Sequence, residues 1–244
     1  MRLLSVKALN RIAALVVCCW ALGGCTARIE QAPPPTPVGA EYPADLQGAT
    51  LYRIAPERSK LHVLVYRGGT LANLGHNHVV SCATLSGYVW LHESPAKSGF
   101  TVQLPVNELL VDTPESRAEE GADFAAAVSD SARAGTKRNM LKPEQLDGLN
   151  YPSIRLRSLR IRGSRTQPQV HVQITIRDQA REFDVPVKLS VIDKALTAAG
   201  EFSVNQTDFG IQPYSVAMGA IQVVDRLTIK FSLVATAMSP PDLR

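Results

Sequence analysis

Cysteine is scarce in this chain, which has four cysteines in 244 residues. Cys18 and Cys19 lie in an apolar N-terminal run and Cys25 follows it after two glycines, so Cys82 is the one cysteine in the rest of the chain. A domain with a single thiol cannot form an internal disulfide bond. Its stability must come from a hydrophobic core, and a chain of about 190 residues is long enough to form one.

The chain also has no large excess of positive or negative charge once its N-terminal segment is set aside. Residues 1–24 hold three basic residues and no acidic residue, so the remaining chain has 23 basic and 22 acidic residues. This balance argues against nucleic acid as the main partner, because such binding usually needs a concentrated basic face. The sequence also lacks CxxC, HExxH, GxSxG and a glycine-rich phosphate loop, and we predict that the protein is not an enzyme.

A sorting signal is predicted at the N-terminus. Three basic residues within the first eleven precede an apolar run at 12–22, which is too short for a comfortable membrane span. The run ends in LGGC at 22–25, which resembles the lipobox of bacterial lipoproteins, where the cysteine is acylated and becomes the new N-terminus. We predict that residues 1–24 are a lipoprotein signal peptide and that Cys25 is lipidated. The alternatives are ordinary secretion with an unmodified Cys25 and a retained anchor helix.

The residues after Cys25 predict a location and a tether. Thr26, rather than aspartate, follows the cysteine, and in the lipoproteins that the chain resembles this favours the outer membrane. We therefore expect a lipid-anchored protein on the periplasmic face of the cell envelope. Residues 25–50 are predicted to form a tether, because the proline-rich segment 32–37 is extended and semi-rigid. Residues 239–244 are predicted to be a C-terminal tail.

Alternation of apolar and polar residues with period two dominates the predicted domain, residues 51–238. It is typical of antiparallel strands that bury one face and expose the other. Ser158 interrupts one such run, which indicates a β-bulge, and beyond it Leu159 and Ile161 are predicted to share the buried face. Residues 177–181 are predicted to link two strands. The alternating segments are residues 61–66, 85–92, 100–104, 154–162, 170–177, 182–191 and 227–233.

These patterns predict an all-β fold, an antiparallel lipocalin-like β-barrel of about eight strands. A β-sandwich of similar length is the alternative. Residues 114–128 and 129–147 are predicted to form a short helical insert, because Pro114 and the early acidic residues suit a first helical turn.

Several segments together resemble the YceI-like protein family. They are YRIA at 52–55, SKLHV at 59–63, YPSIRLRS at 151–158, GEF at 200–202 and NQTDFGI at 205–211. The resemblance implies a lipocalin-like barrel that is periplasmic or secreted and binds a long isoprenoid chain in its lumen. It does not imply an enzyme. Gln206 stands where many members have arginine, and residues 137–140 also depart from the family pattern. The family's head-group contacts are therefore not transferred to this chain.

A polyprenyl tail has no hydrogen-bonding groups, so its binding needs apolar surface hidden from water, worth about 25 cal/mol per Å². The inward faces of the predicted strands supply such surface. The alternative is that the same side chains fill a solid core, as they do in many small barrels. The predicted ligand-binding residues are Val63, Val65, Leu85, Val89, Val102, Leu104, Leu156, Val172, Ile174, Val185, Val187, Leu189, Phe202, Val204, Phe209, Ile229 and Phe231.

His76 and His78 are the candidates for a metal site. In an extended segment they point to the same side, and a histidine pair at that spacing can begin such a site. His62, His92 or His171 could supply a further ligand. The alternative is a hydrogen-bonded pair at the mouth of the barrel.

Three functions follow from these patterns. The first is a membrane-tethered carrier of an isoprenoid-type lipid, polyprenyl or quinone-like, with that lipid as its bound molecule. The second is a metal-binding or redox-linked accessory protein of the envelope. The third is a surface interaction module with a filled barrel, whose contacts come from Tyr88, Trp90 and the arginines at 155, 157, 160, 162 and 165. The sequence leaves open whether two barrels pair as a homodimer.

Overall fold

The computed structural model describes residues 41–43 and 46–239. The predicted signal peptide, Cys25, most of the predicted tether and residues 240–244 lie outside the described residues. Within the described part, none of the helices is both long and apolar enough to cross a membrane.

Antiparallel strands make up about half of the described structure, with two α-helices and several single turns of 3₁₀-helix. The strands are β1 (Ala49–Ile54), β2 (Lys60–Val65), β3 (Arg67–Gly68), β4 (His78–Ser81), β5 (Ser86–His92), β6 (Gly99–Pro105), β7 (Leu110–Val111), β8 (Ser153–Gly163), β9 (Pro168–Ile176), β10 (Gln179–Pro186), β11 (Lys188–Ile192), β12 (Ala195–Asn205), β13 (Ser215–Val216), β14 (Ile221–Val223) and β15 (Arg226–Ala237). The α-helices are α1 (Pro114–Ala118) and α2 (Asp130–Met140), and the 3₁₀ turns are Pro56–Arg58, Ala72–Leu74, Pro95–Lys97, Val106–Glu108, Ala122–Phe124, Gln206–Phe209 and Ala217–Gly219.

Several of these strands are halves of one longer strand. β1 and β2 pair in succession with one edge of β15. Ser59 bridges the break between them, because its hydroxyl donates to Ala55 O and accepts a hydrogen bond from Val234 N. β5 and β4 pair with β1 and β2 in the same way, and β6 and β7 pair with β5 and β4. β11 follows β10 after Val187 alone, so the wall consists of eight long strands.

The eight long strands are connected in a ring. β15 pairs with β1 and β2 on one side and with β12 on the other, and further ladders join β1 through β5, β6 and β8 to β9. β10 pairs with β9 and β11 pairs with β12, so Val187 carries the chain from one ladder to the next. Every neighbouring pair among these wall strands is antiparallel. The prediction of an all-β, antiparallel barrel of about eight strands is confirmed.

The inner face of the ring carries the hydrophobic core. Side chains alternate across a strand, and in β9 the buried positions are Pro168, Val170, Val172 and Ile174. Gly200 lies where β12 approaches its neighbours most closely. A Cβ atom there would lie 2.7 Å from both the Phe231 ring and Pro186 O, so only glycine fits without movement of the wall.

The predicted helical insert is present, and part of it packs on the outside of the barrel. Thr113 and Ser129 cap α1 and α2 through side-chain hydrogen bonds to backbone N–H groups, as N-cap residues do. Between the two helices, Phe124 is buried against Leu64 and Val79, which lie on the outer face of β2 and β4. This contact covers an apolar patch that the barrel would otherwise expose.

Two local details of the strand predictions are refined by the structure. The β-bulge predicted at Ser158 lies between Ser158 and Arg160. The extra residue turns Leu159 outward, so the prediction that Leu159 shares the buried face was wrong. The link between β9 and β10 is the two-residue turn Arg177–Asp178, and both residues have positive φ, as a tight hairpin requires.

The barrel begins earlier than the predicted boundary at residue 51. β1 starts at Ala49, and before it the Thr101 hydroxyl donates to Glu41 O at 2.6 Å. The Tyr42 ring packs edge-on against Tyr88 on the outer face of β5, with 4.8 Å between ring centroids. The end of the predicted tether therefore lies against the barrel wall.

Candidate functional site

The inward faces of the barrel strands surround a cavity of about 460 Å³. This volume lies within the range of binding sites for small molecules and cofactors. All seventeen residues predicted to bind a ligand line this one cavity. Their convergence follows from the geometry of strands, because side chains two positions apart share a face and the ring turns each such face inward. That they bind a ligand stays a prediction.

Small residues contribute to the space inside. Ala198 lines the cavity from β12, opposite Leu189 on β11, whereas its neighbour Ala199 is not part of the lining. Gly200 packs closely against the Phe231 ring instead of opening space. Of the small residues in this strand, Ala198 therefore leaves room in the lumen and Gly200 permits close packing.

The helical insert also lines one end of the cavity, which the sequence did not predict. Thr136, Asn139 and Met140 on α2 contribute, followed by Gln145 and Leu146. Thr136 and Met140 are four residues apart and so share one face of the helix. The only sequence signal was an apolar Met140 and Leu146 within a segment of mixed charge, and nothing in it indicated which part of the barrel they would contact.

Polar side chains of the lining lie mainly towards the two ends of the barrel. At the end that carries the insert they include Arg67, His76 and Gln206. At the opposite end, Ser98 and Arg165 come from the connections between β5 and β6 and between β8 and β9. A molecule with an apolar tail and a polar head can therefore place its tail among aliphatic side chains and its head at either end.

The histidine pair lies at the end that carries the insert. The rings of His76 and His78 both line the cavity, with 6.4 Å between their centroids. His78 Nδ1 lies 2.6 Å from Asp112 Oδ2, so this member of the pair contacts a carboxylate instead of the other histidine. Among the described residues no group of three or more His, Cys, Asp or Glu side chains could hold a metal ion. Metal binding by the pair stays a prediction that this geometry does not favour.

Asp112 organises the contact between the insert and the barrel. Its side chain is fully buried and accepts hydrogen bonds from Val79 N at 2.9 Å and from an Arg117 Nη at 2.6 Å, in addition to its contact with His78. Burial alone would raise the pKa of the Asp112 carboxyl. The hydrogen bonds with His78, Val79 N and Arg117 outweigh burial and hold this pKa below its ordinary value.

Of the other candidate ligands, His62 and His171 contact carboxylates outside the lumen. His92 instead lines the cavity at the end opposite the insert, and its Nδ1 accepts a hydrogen bond from Ser94 N. His62 Nδ1 lies 2.6 Å from Glu120, and Lys230 Nζ donates to the same carboxylate at 2.7 Å. Burial alone would raise the pKa of Glu120, but its hydrogen bonds with Lys230 and His62 lower it. These contacts fix the end of α1 against the outer wall and leave His62 directed away from the lumen.

His171 lies on the outer face of β9, and both of its ring nitrogens contact carboxylates. Its Nδ1 lies 2.9 Å from Asp184 and its Nε2 lies 2.9 Å from Glu182. The hydrogen bond with Asp184, followed by the one with Glu182, raises the pKa of His171 above its ordinary value.

Cys82 is buried directly after β4, and burial raises the pKa of its thiol, which makes it a weak nucleophile.

Comparison with known proteins assigns the fold to a family. The sequence profile of the YceI-like domain matches residues 52–235, which is more than half of the chain. No curated protein matches it. The crystal structure of Burkholderia cenocepacia BcnA has 18% sequence identity and a TM-score of 0.55, over 75% of this chain and 99% of that one. A polyisoprenoid-binding domain from Saccharophagus degradans, implicated in plant cell wall breakdown, has 10% identity and a TM-score of 0.52, over 77% and 98%. These identities show a shared fold alone, and the profile match shows that the chain belongs to the YceI-like family.

Proposed function

We propose that this protein binds one apolar, isoprenoid-type lipid chain inside its barrel and carries it while tethered to a membrane. The observation that carries the proposal is the cavity of about 460 Å³, whose walls are mostly aliphatic and aromatic. The Saccharophagus domain, which is polyisoprenoid-binding and has a similar fold, supports the same class of ligand.

The physical basis is the hydrophobic effect. Each methylene that moves from water into the lumen contributes about 0.8 kcal/mol, and a polyprenyl tail brings no polar group that would need a partner there. The polar head would remain at one end of the barrel, beside side chains such as His76 or Arg165. Binding then selects mainly for a long apolar chain and less for one head group.

The tether belongs to the same proposal. A signal peptide at residues 1–24, an acylated Cys25 and a place on the periplasmic face of the outer membrane rest on the basic start, the apolar run and the LGGC sequence. More than one acyl chain on one cysteine would hold the protein stably on a bilayer. Mass spectrometry of the N-terminal peptide from the native host should show an acylated Cys25, and an unmodified thiol there would contradict the anchor.

The test of lipid binding is a pair of substitutions on one strand. Ala198→Phe places an aromatic ring in the lumen, whereas Ala199→Phe places the same ring on the outer face, where its neighbours across the sheet include Lys188. The purified proteins are extracted with organic solvent, and the extracts are analysed by mass spectrometry. Wild type and Ala199→Phe should release a prenyl-chain lipid, and Ala198→Phe should release little or none.

Two outcomes would contradict the proposal. One is an empty wild-type protein that also fails to take up an added polyprenyl lipid. The other is equal lipid content in the two phenylalanine variants. If the wild-type protein released fatty acids alone, it would still be a lipid carrier, but its ligand would not belong to the isoprenoid class.

A further inference from the structure

Two loops at the insert end of the barrel expose large apolar side chains. One is residues 69–75, between β3 and β4, and the other is residues 215–220, around β13. Leu71 is 49% exposed, Leu74 is 69% exposed and Met218 is fully exposed, and Val216 lies partly exposed beside them. We call Leu71, Leu74, Val216 and Met218 the apolar rim. Contiguous exposed apolar surface of this kind marks a site of interaction with a protein or a membrane.

The two loops are held together, so the rim is one surface. Leu71 N donates to Ala220 O at 2.8 Å, and β3 pairs with β14. Gly69 has a positive φ, and a Cβ atom on it would lie 2.4 Å from Ala220 O, so the two backbones are in direct contact at this point. The side chains of the rim therefore project from a fixed base.

The same loops border the cavity. Gly75 and His76 from the first loop, Val216 from the second and Ile221 from β14 all line it. A surface that covered the rim would therefore cover this end of the cavity as well.

The charge around the rim fits a lipid bilayer. Residues 66–92 and 209–224 contain no aspartate or glutamate, and the exposed Arg67 lies between the two loops. The acidic groups closest in sequence are Asp208 and Asp225, and both carboxylates accept hydrogen bonds from backbone N–H groups of the 205–207 turn. An apolar rim with the cationic Arg67 beside it suits the interface of an anionic membrane.

The length of chain before the barrel allows this orientation. Residues 25–40 span at most about 55 Å when fully extended. The longest wall strand, β15, has 12 residues and so measures about 40 Å. A chain anchored at Cys25 can therefore bring its rim to the same bilayer that holds the anchor.

From these observations we propose that the apolar rim inserts into the surface of a lipid bilayer and so places the insert end of the cavity against the membrane. That a membrane lipid then enters the cavity rests on the proposed function. The docking itself depends on the rim alone.

The experiment uses the full chain as the cell produces it, bound to vesicles of phosphatidylglycerol and phosphatidylethanolamine with brominated acyl chains. Met218→Trp places a fluorophore on the rim. Ile192→Trp is the matched control, because Ile192 is 70% exposed in β11, beside the turn at the opposite end of β15. A lipid anchor would hold both variants on the vesicle equally, and both variants contain the native Trp90. Neither can therefore cause a difference between the two variants.

We expect the brominated lipid to remove most of the emission added by Trp at 218 and to shift the remainder to shorter wavelength, with Trp at 192 unaffected. Repeating the measurement with Ala198→Phe separates the rim from the lumen, because quenching through a lipid in the cavity would then be lost and quenching by the bilayer would persist. Equal emission loss at 218 and 192 overturns the proposal. A shift in the emission wavelength of Trp at 218 that occurs without vesicles and depends on protein concentration also overturns the proposal. Such a shift would indicate a second copy of the chain as the partner.

Discussion

The buried carboxylate of Asp112 allows a sharp test of how the insert is held on the barrel. The proposed change is Asp112→Asn, which keeps the size of the side chain and one acceptor oxygen but removes the negative charge. Arg117, whose side chain is 9% exposed, then loses its ion pair while it stays buried. Removal of one partner of a buried pair costs about 3–5 kcal/mol, because the remaining charge is left uncompensated.

The control variant is Asp178→Asn. Asp178 also has a positive φ, 59° against 53° at Asp112, and asparagine tolerates this conformation, so any backbone effect is common to both variants. The Asp178 side chain is 70% exposed, and its ion pair with Arg155 is 3.5 Å long. Loss of such a surface pair should cost less than about 1 kcal/mol.

Urea unfolding followed by circular dichroism measures both values. With a slope of about 2 kcal/mol per molar urea, Asp112→Asn should lower the midpoint by about 2 M and Asp178→Asn by less than about 0.5 M. A loss below about 1 kcal/mol for Asp112→Asn would refute the reasoning, because the carboxylate would then not compensate Arg117.

The same carboxylate predicts a dependence on pH. The pKa of Asp112 is lowered in the folded state, so its contribution to stability is fully present above the ordinary value of 3.8 and is lost as the pH falls through the lowered value. The free-energy difference between wild type and Asp112→Asn should therefore shrink in strongly acidic solution. A difference that widened as the pH fell below 3.8 would contradict this sign.

Two further predictions concern the backbone and the ligand. Gly210→Ala should lower the free energy of unfolding by about 1–2 kcal/mol, because Gly210 ends its turn at a φ of 70°, and no atom lies within 4 Å of the position that a methyl group would take. Thermal unfolding would show no loss if the left-handed conformation were not required. Shortening an added prenyl lipid by one buried methylene equivalent should weaken its binding by about fourfold, since about 0.8 kcal/mol is lost at each step. Calorimetric titration with a series of chain lengths checks this, and affinity independent of chain length would contradict a tail held in the lumen.

Local sequence pattern predicted the wall of the barrel well, because a strand fixes which side chains share a face. Val63 and Val65 on β2 and Phe231 on β15 are distant in sequence, yet each follows the same two-residue period and reaches the same cavity. The bulge beside Ser158 was also visible, as a break in that period. Leu159 was assigned to the wrong face, because the pattern locates a bulge without identifying the extra residue.

Contacts between distant segments were not visible in the sequence. The pairing of His78 with Asp112 depends on where β4 meets the end of β7, and the placement of Met140 depends on how the insert folds back over the barrel. Tyr42 was assigned to the tether, since nothing local indicates that its ring packs on Tyr88. Each of these features depends on tertiary contacts, for which a single sequence has no local signal.

The position of β15 has a consequence for how the protein is made. This strand supplies the ladders to β1, β2 and β12, so the first strands of the domain pair with its last strand. A chain emerging from a ribosome or a secretion channel therefore cannot complete its barrel until β15 has appeared. Contacts such as that of Ser59 with Val234 join the two ends of the domain, and long-range closure of this kind is intrinsically slow. During that interval the apolar inner face of the barrel strands is exposed to solvent. The nascent protein should therefore depend on chaperones more than the folded protein does.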